Sequence, residues 1–305
     1  MASTNIALTT PPSGRPATPD SRQVWRPLAF CSPALLLYLI MFCVPLVLVF
    51  VLSFRGFDTT TGQIQDGLTL GRYIEVLSDR YFLEVFLRTI GISLLVTIIA
   101  VIVGTPEAYI LNRMRAPWRS VFLLMVLGPL LVSVVVRTLG WAIILGNNGL
   151  LNQVLMYLGI VQNPLKIMYT NTAIVLGLIH ISVPFVVISV WTALQKHDSA
   201  TERAAIALGA SQFTVFTKIV IPQIMPGILS GALVVFSLAA SAYATPALLG
   251  GRGVKVVATA VSDEFLGTLD WPLGASLAVL LLLINLVIAV LWNKAVQARF
   301  KESFK

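Results

Sequence analysis

Six long apolar runs restrict what this chain can fold into. The first run, residues 29–53, contains no charged side chain, and about 20 apolar residues suffice for a helix to cross a bilayer. Because lipid offers no hydrogen-bond partners, each spanning segment must satisfy its own backbone as a helix. The other runs lie near 89–106, 120–145, 173–194, 224–249 and 272–292. The pattern predicts an all-α, polytopic membrane protein with six transmembrane helices.

Composition agrees with a lipid environment. Only 11% of the residues are charged and 57% are hydrophobic, whereas soluble proteins carry about 25% charged residues. Residues 1–28 are rich in Ser, Thr and Pro and are predicted to form a disordered cytoplasmic tail. Residues 29–296 are predicted to form one membrane domain, and 297–305 a second cytoplasmic tail.

The basic residues predict the orientation. Six spans put both termini on one side, and that side carries 13 of the Lys and Arg residues outside the spans, against 7 on the other. Cytoplasmic loops carry the excess of Lys and Arg, so both termini and the loop 195–222 are predicted to be cytoplasmic. The formal net charge of +8 is then a signal of topology, and no nucleic-acid partner is expected.

The loop 195–222 reads as two short capped helices. Ser199 and Glu202 have the spacing of a capping box, and Gly209 stands where a C-terminal cap with positive φ is wanted. Ser211 can cap a second helix. Pro222 either ends this second helix or marks the start of the fifth span. A capped hairpin alone would need no further role for these residues.

A rival interpretation of the same loop is a DNA-binding helix-turn-helix over residues 204–215. In that motif the second helix carries polar side chains that reach base edges. Here the second helix carries Phe213, Val215 and Phe216, with Lys218 as its one charge. The loop is also short and tethered at both ends to membrane spans, which disfavours binding to DNA.

The loop resembles the E-A-A loop of ABC-importer permeases, whose pattern is E-A-A, three residues, Gly, nine residues, then I-x-L-P. In this chain Ile221 replaces the usual Leu of that pattern. Arg203 occupies the position of the usual Glu, and the carboxylate is that of Glu202, one residue earlier. The resemblance implies docking onto a cytoplasmic ATPase subunit, and leaves open which side chain faces it. The predicted coupling residues are Glu202, Arg203, Ala204, Ala205, Gly209, Ile219 and Pro222.

Four further segments, 137–141, 149–152, 244–251 and 269–275, are similar to the spermidine/putrescine-type branch of these permeases. The resemblance implies a bacterial inner-membrane complex of two ATPase subunits, a second homologous permease and a periplasmic substrate-binding protein. It implies a polyamine or similar small organic solute as cargo. ATP would be bound by the ATPase subunits, since this chain has no P-loop, so we expect no cofactor and no enzymatic activity here.

Polar residues inside the apolar runs are candidates for a translocation path. Arg137 is costly at the bilayer centre and should face the bundle or water, although a structural ion pair would also explain it. His180 is equally consistent with packing. Hydroxyls spaced four residues apart on the fifth run could line a path or join helices. The candidate path residues are Arg137, His180, Ser237, Ser241 and Thr245.

The alternative to an importer subunit is an ion-coupled secondary transporter. Such a protein should have acidic residues within its spans and broken helices at corresponding positions of inverted halves, and the sequence indicates neither. A membrane-embedded enzyme would need a catalytic constellation or a cluster of residues with metal-ligand spacing. We identify no catalytic and no metal-binding residues.

Overall fold

The computed structural model describes residues 21–58, 60–196 and 199–299. The predicted tails fall mostly outside this range. Helix α1 (Ser21–Leu52) nevertheless begins before the predicted boundary at residue 28, because good helix formers such as Arg22 and Gln23 extend an apolar helix that is already nucleated. Likewise the last helix continues to Arg299.

The chain divides into two compact units, the first ending at Val49 and the second beginning at Phe50. Helix α1 makes up the described part of the first unit. The second unit opens with an antiparallel hairpin of β1 (Arg55–Asp58) and β2 (Gln63–Leu68). The helices that follow are α2 (Gly71–Ser78), α3 (Arg80–Arg113), α4 (Trp118–Leu131), α5 (Val134–Leu145), α6 (Leu150–Tyr157) and α7 (Asn171–Gln195).

The second half of the chain contains the loop helices and two long spans. Two π-helical turns interrupt the α-helices, at Phe216–Val220 and Glu264–Thr268. The α-helices are α8 (Ser199–Ala207), α9 (Gln212–Val215), α10 (Ile221–Ala240), α11 (Ala244–Leu249), α12 (Val257–Asp263) and α13 (Trp271–Arg299).

Six helical segments of the described chain are long and apolar enough to cross a bilayer, which confirms the predicted number of spans. Four of them overlap the predicted runs closely, and the third and fifth are displaced along the chain. The segments are Cys31–Leu52, Arg80–Arg113, Val134–Tyr157, Asn171–Gln195, Gln212–Ala240 and Trp271–Ala298.

The third predicted run, 120–145, is wrong as a single helix. It is split into α4 and α5 at Val132 and Ser133, which both have extended backbone. Pro129 and a run of β-branched valines on either side of Ser133 weaken the helix here. The break leaves the carbonyl of Pro129 without its helical donor, and the Arg137 guanidinium donates to that carbonyl instead.

The fifth predicted run, 224–249, is also divided. Helix α10 ends at Ala240, and α11 is a separate short helix after a non-helical connection. Pro246 lies in the first turn of α11, where proline is tolerated, and the long helix ends before it, at Ala240. Ser237 therefore lies in α10 and Ser241 is its C-cap residue, whereas Thr245 belongs to α11.

Helices α3, α7 and α10 surround the main hydrophobic core, which includes Val96, Val190 and Val235. The pair Gly227 and Gly231 lets α10 approach α7 closely. A Cβ atom on Gly227 would lie 2.5 Å from the Cβ of Ala193, and one on Gly231 would lie 3.1 Å from the Cβ of Ser189. Two glycines four residues apart thus form a small-xxx-small contact between these helices.

The turn of the β1–β2 hairpin is held by Asp58. Its Oδ1 accepts hydrogen bonds from the backbone N–H of Thr60 at 2.8 Å and from the Thr60 hydroxyl at 2.6 Å. These bonds, the hydroxyl first, lower the pKa of Asp58 from its ordinary value of 3.8 to about 2. The carboxylate therefore stabilises the turn as an acceptor.

Candidate coupling loop and solute cavity

The caps predicted for the loop are present. Gly209 has φ +88°, its N–H donates to the carbonyl of Ile206 at 2.9 Å, and the N–H of Ala210 donates to that of Ala205 at 3.0 Å. This is the bonding pattern of a Schellman motif, which ends α8. Ser211 then accepts from the N–H of Thr214 at 3.1 Å and caps α9. The side chain of Ser199 lies outside the described residues, so the capping box stays a prediction.

The second loop helix runs into the fifth span without a break. The π-helical turn Phe216–Val220 joins α9 to α10, and the N–H of Ile221 donates to the carbonyl of Phe216. Pro222 cannot donate to the preceding turn, and the wider π turn accommodates it at the start of α10. Pro222 therefore opens the span, and the loop and the span form one continuous helical rod.

The loop presents an apolar surface. Leu208 is 89% exposed, Phe213 is 76% exposed and Ile206 is 41% exposed. Arg203 and Ala204 are exposed beside them. Large apolar side chains exposed on a loop outside the membrane spans are typical of a surface that binds another protein. We refer to Ile206, Leu208 and Phe213 as the apolar loop surface.

Glu202 points away from that surface. The residue is only 7% exposed, and its carboxylate accepts a hydrogen bond from Arg113 at the end of α3. The Tyr109 hydroxyl lies 3.4 Å from the same carboxylate oxygen. Arg113 and Tyr109 were missed from the sequence, because nothing in a single sequence pairs residues so far apart.

The remaining predicted loop residues hold the hairpin to the bundle. Ala205 and Ile219 are half-buried and pack against the main core. Pro222 is exposed at the start of α10. The structure thus separates the predicted coupling residues into an outward group, which includes Arg203 and Ala204, and an inward group led by Glu202.

A cavity of about 590 Å³ opens between α5, α7, α10 and α11. It brings together three of the predicted path residues: Arg137, Ser241 and Thr245. Hydroxyls and the aromatic rings of Phe185 and Tyr243 in its lining offer hydrogen bonds and π faces to a polar solute.

Arg137 is the charged member of the cavity lining. It is 9% exposed and donates through one terminal nitrogen to the carbonyl of Pro129. Its Nε is buried and makes no hydrogen bond to the described residues. The hydrogen bond to Pro129 thus stabilises the break between α4 and α5. The same side chain also lines the cavity.

Thr245 connects the cavity wall across two helices. Its hydroxyl oxygen lies 3.3 Å from that of Thr138 on α5, and both side chains are almost fully buried. Thr138 was not predicted as part of the site. The Ser241 hydroxyl donates to the carbonyl of Ser237 at 2.8 Å, so in this conformation it also closes the last turn of α10.

His180 and Ser237 do not line the cavity. His180 is exposed on α7 and accepts a hydrogen bond at Nδ1 from the indole N–H of Trp141 at 3.2 Å. The two rings also make an edge contact, with centroids 5.8 Å apart. His180 thus has a structural contact between α5 and α7, and Ser237 contributes its carbonyl to the end of α10.

Comparison with known proteins identifies the family. Residues 29–302 match the family described as binding-protein-dependent transport system inner membrane component. The chain belongs to this family. It is therefore a multi-pass protein of the bacterial inner membrane and a permease subunit of an ABC importer, and the alternative of an ion-coupled secondary transporter is set aside.

Individual relatives agree with this assignment. The chain is 32% identical over 226 residues to the spermidine/putrescine transport system permease protein PotB of Escherichia coli strain K12, covering 74% of this chain and 82% of that one. It is 30% identical over 251 residues to the PotB of Haemophilus influenzae, covering 82% and 87%. The spermidine/putrescine-type resemblance is confirmed at this level.

A solved structure supports the fold. A bacterial ABC transporter involved in the import of the acidic polysaccharide alginate superposes with a TM-score of 0.72 at 17% identity. The match covers 90% of this chain and 96% of that one. At this identity the likeness concerns the architecture of the spans alone.

Proposed function

We propose that the loop 195–222 docks onto a cytoplasmic ATPase subunit and passes its movement to the spans. The observation that carries this proposal is the apolar loop surface on a doubly capped hairpin that continues into α10. Exposed Leu208 and Phe213 can fill an apolar groove on a partner, while the caps keep the hairpin rigid enough to move as one body. The proposal places this loop and both termini in the cytoplasm.

The docking proposal is tested by co-purification of the complex in mild detergent. Phe213→Asp and Leu208→Asp should reduce the amount of ATPase subunit recovered with the permease by at least about tenfold, because each buries a charge in the contact. Leu266→Asp is the matched control, since Leu266 is 78% exposed in the π-helical turn before α13, away from the loop. Full recovery with the loop variants would contradict docking at this surface.

The proposed complex contains two ATPase subunits, which bind the ATP, a second homologous permease and a periplasmic substrate-binding protein. Support comes from the family description, which names binding-protein-dependent transport. Mass spectrometry of the intact wild-type complex would count the subunits. A complex that contains two copies of this chain and no second permease would overturn the heteromeric arrangement.

We propose a polyamine, spermidine or putrescine, as the solute. Support comes from the PotB relatives. The aromatic and hydroxyl groups of the cavity suit ammonium groups, whereas the Arg137 guanidinium in the same lining repels them. The test is uptake of labelled spermidine and putrescine into proteoliposomes containing the whole complex, with the binding protein outside and ATP inside. Sulfate serves as an anionic comparison, and uptake of sulfate without polyamine uptake would reject this substrate.

A further inference from the structure

We infer that Glu202 and Arg113 form an internal link that makes the coupling hairpin and α3 move together. The inference rests on the proposed docking of the loop. It assigns Glu202 a positioning role inside this subunit, whereas the family resemblance left open whether the carboxylate faces the ATPase.

The geometry of the link joins three separate elements. The Arg113 guanidinium, on the last residue of α3, donates through Nη2 to Glu202 on α8. Through Nη1 it also donates to Oε1 of Gln212 on α9, at 3.3 Å. One guanidinium thus holds both helices of the hairpin to the end of a membrane span.

Aromatic rings support the pair. The guanidinium carbon of Arg113 lies 4.5 Å from the centroid of the Tyr109 ring, and that ring lies 4.7 Å from the ring of Phe216. The Tyr109 hydroxyl also approaches the Glu202 carboxylate. Stacking on Tyr109 limits the directions in which the guanidinium can point, so the pair is aligned by its surroundings.

Burial separates this pair from ordinary surface ion pairs. The Glu202 side chain is 9% exposed and that of Arg113 is 37% exposed, whereas the Arg80–Glu84 pair at the other end of α3 is 92% and 53% exposed. Exposed pairs contribute little, but here the Glu202 end is buried, so little water is available to replace the Arg113 guanidinium at that carboxylate if the pair separates. The Glu202–Arg113 pair therefore resists separation when the hairpin is pushed.

The link has a mechanical consequence. The π-helical turn connects the hairpin to α10 through the backbone, and Arg113 connects the same hairpin to α3 through side chains. A movement imposed on the hairpin is then transmitted to two spans that share the main core, instead of to α10 alone. Loss of the link should leave docking intact and reduce the transport obtained for each ATP hydrolysed.

The test compares single and double variants in the whole complex. Glu202→Gln and Arg113→Gln should each lower the ratio of solute taken up to ATP hydrolysed by at least about fivefold, with normal recovery of the ATPase subunit. The double variant Glu202→Gln with Arg113→Gln should be no more impaired than either single variant, because the two substitutions remove the same link. Glu84→Gln, which breaks the exposed pair on the same helix, is the matched control and should change nothing.

A second readout does not depend on the solute. Nitroxide labels at Thr201 on α8 and Ile110 on α3, both exposed positions, are placed in a variant whose Cys31 and Cys43 are replaced by Ser. With Glu202 intact, trapping the complex with ATP and vanadate should leave the distance between labels unchanged. In Glu202→Gln the same trapping should change or broaden that distance.

The outcomes separate this inference from the proposed function. If the wild-type chain recovers no ATPase subunit, docking itself is wrong. If docking is normal but Glu202→Gln keeps the wild-type coupling ratio and the same label distance in both states, the link is refuted. A double variant whose loss equals the product of the two single losses would also refute pairing as the cause, because independent effects multiply.

Discussion

Replacing Gly209 by alanine should weaken the coupling hairpin by a calculable amount. Gly209 has φ +88°, and a Cβ atom there would meet no other atom within 4 Å. The cost is therefore backbone strain without a clash, about 1–2 kcal/mol for a residue with a Cβ in the left-handed region. This strain corresponds to a roughly 5- to 30-fold change in the equilibrium between closed and open turn.

Hydrogen exchange of the complex in lipid nanodiscs measures this change directly. The amides of Gly209 and Ala210 bond to carbonyls of α8, so they exchange when the turn opens. Gly209→Ala should speed the exchange of these two amides roughly 5- to 30-fold. Gly209→Asn should speed it less, because Asn tolerates the left-handed backbone conformation better than Ala does. Gly209→Asp adds a carboxylate at the negative end of α8, and we expect it to abolish transport while the protein stays in the membrane.

Gly62 provides the matched control. It has φ +69° in the β1–β2 hairpin and is likewise open to a Cβ atom, so Gly62→Ala introduces a similar strain far from the loop in sequence. It should leave exchange of residues 199–211 and transport unchanged. Unaltered exchange in Gly209→Ala, or an equal rise in the exchange of residues 199–211 in Gly62→Ala, would refute the argument.

Three further predictions concern packing, the cavity and pH. Gly227→Ala should destabilise the bundle by about 1–3 kcal/mol through overpacking against α7, which would lower the thermal unfolding midpoint in detergent. Gly91→Ala is the control, since a Cβ atom there meets no other atom within 4 Å. Equal midpoints for the two variants would contradict the prediction. Arg137→Met should lower that midpoint, because it removes the donor from the Pro129 carbonyl. It should raise polyamine uptake per assembled complex, because it removes a positive charge that repels a cationic solute in the cavity; unchanged uptake would remove Arg137 from the path. Because the pKa of Asp58 is lowered to about 2, the Asp58 carboxylate should stabilise the hairpin above about pH 4, and this stabilisation should be lost as the pH falls through 2. Amide exchange of residues 55–68 measures the loss. Asp58→Ala should abolish the pH dependence.

The predicted caps show where local sequence is sufficient. Gly209 and Ser211 act through hydrogen bonds to residues a few positions away, so the residue types and their spacing contain the information. The number of spans follows from the same kind of reasoning, since the length and polarity of a run determine whether it can cross lipid. The resemblance to importer permeases also depended on short-range spacing in the loop.

The predicted path shows where local sequence fails. A spacing of four residues placed Ser237, Ser241 and Thr245 on one helical face, but the helix ends at Ala240. A helix can end in such a stretch when neighbouring helices supply hydrogen-bond partners for the backbone groups that become unpaired. Sequence periodicity carries no information about those partners. For the same reason His180 appeared equivalent to Arg137, although only Arg137 faces the cavity.

The sequence by itself determined the lipid environment, the six spans and the capped loop, because each depends on properties of consecutive residues. Only the tertiary structure decided the direction of each polar side chain. Glu202 and Arg113 are 89 residues apart in the chain and meet only when α3 and the loop hairpin pack together. Arg137 likewise obtained its partner from the broken end of α4. Contacts between distant segments depend on how all the helices pack at once, and a single sequence carries no local signal for them.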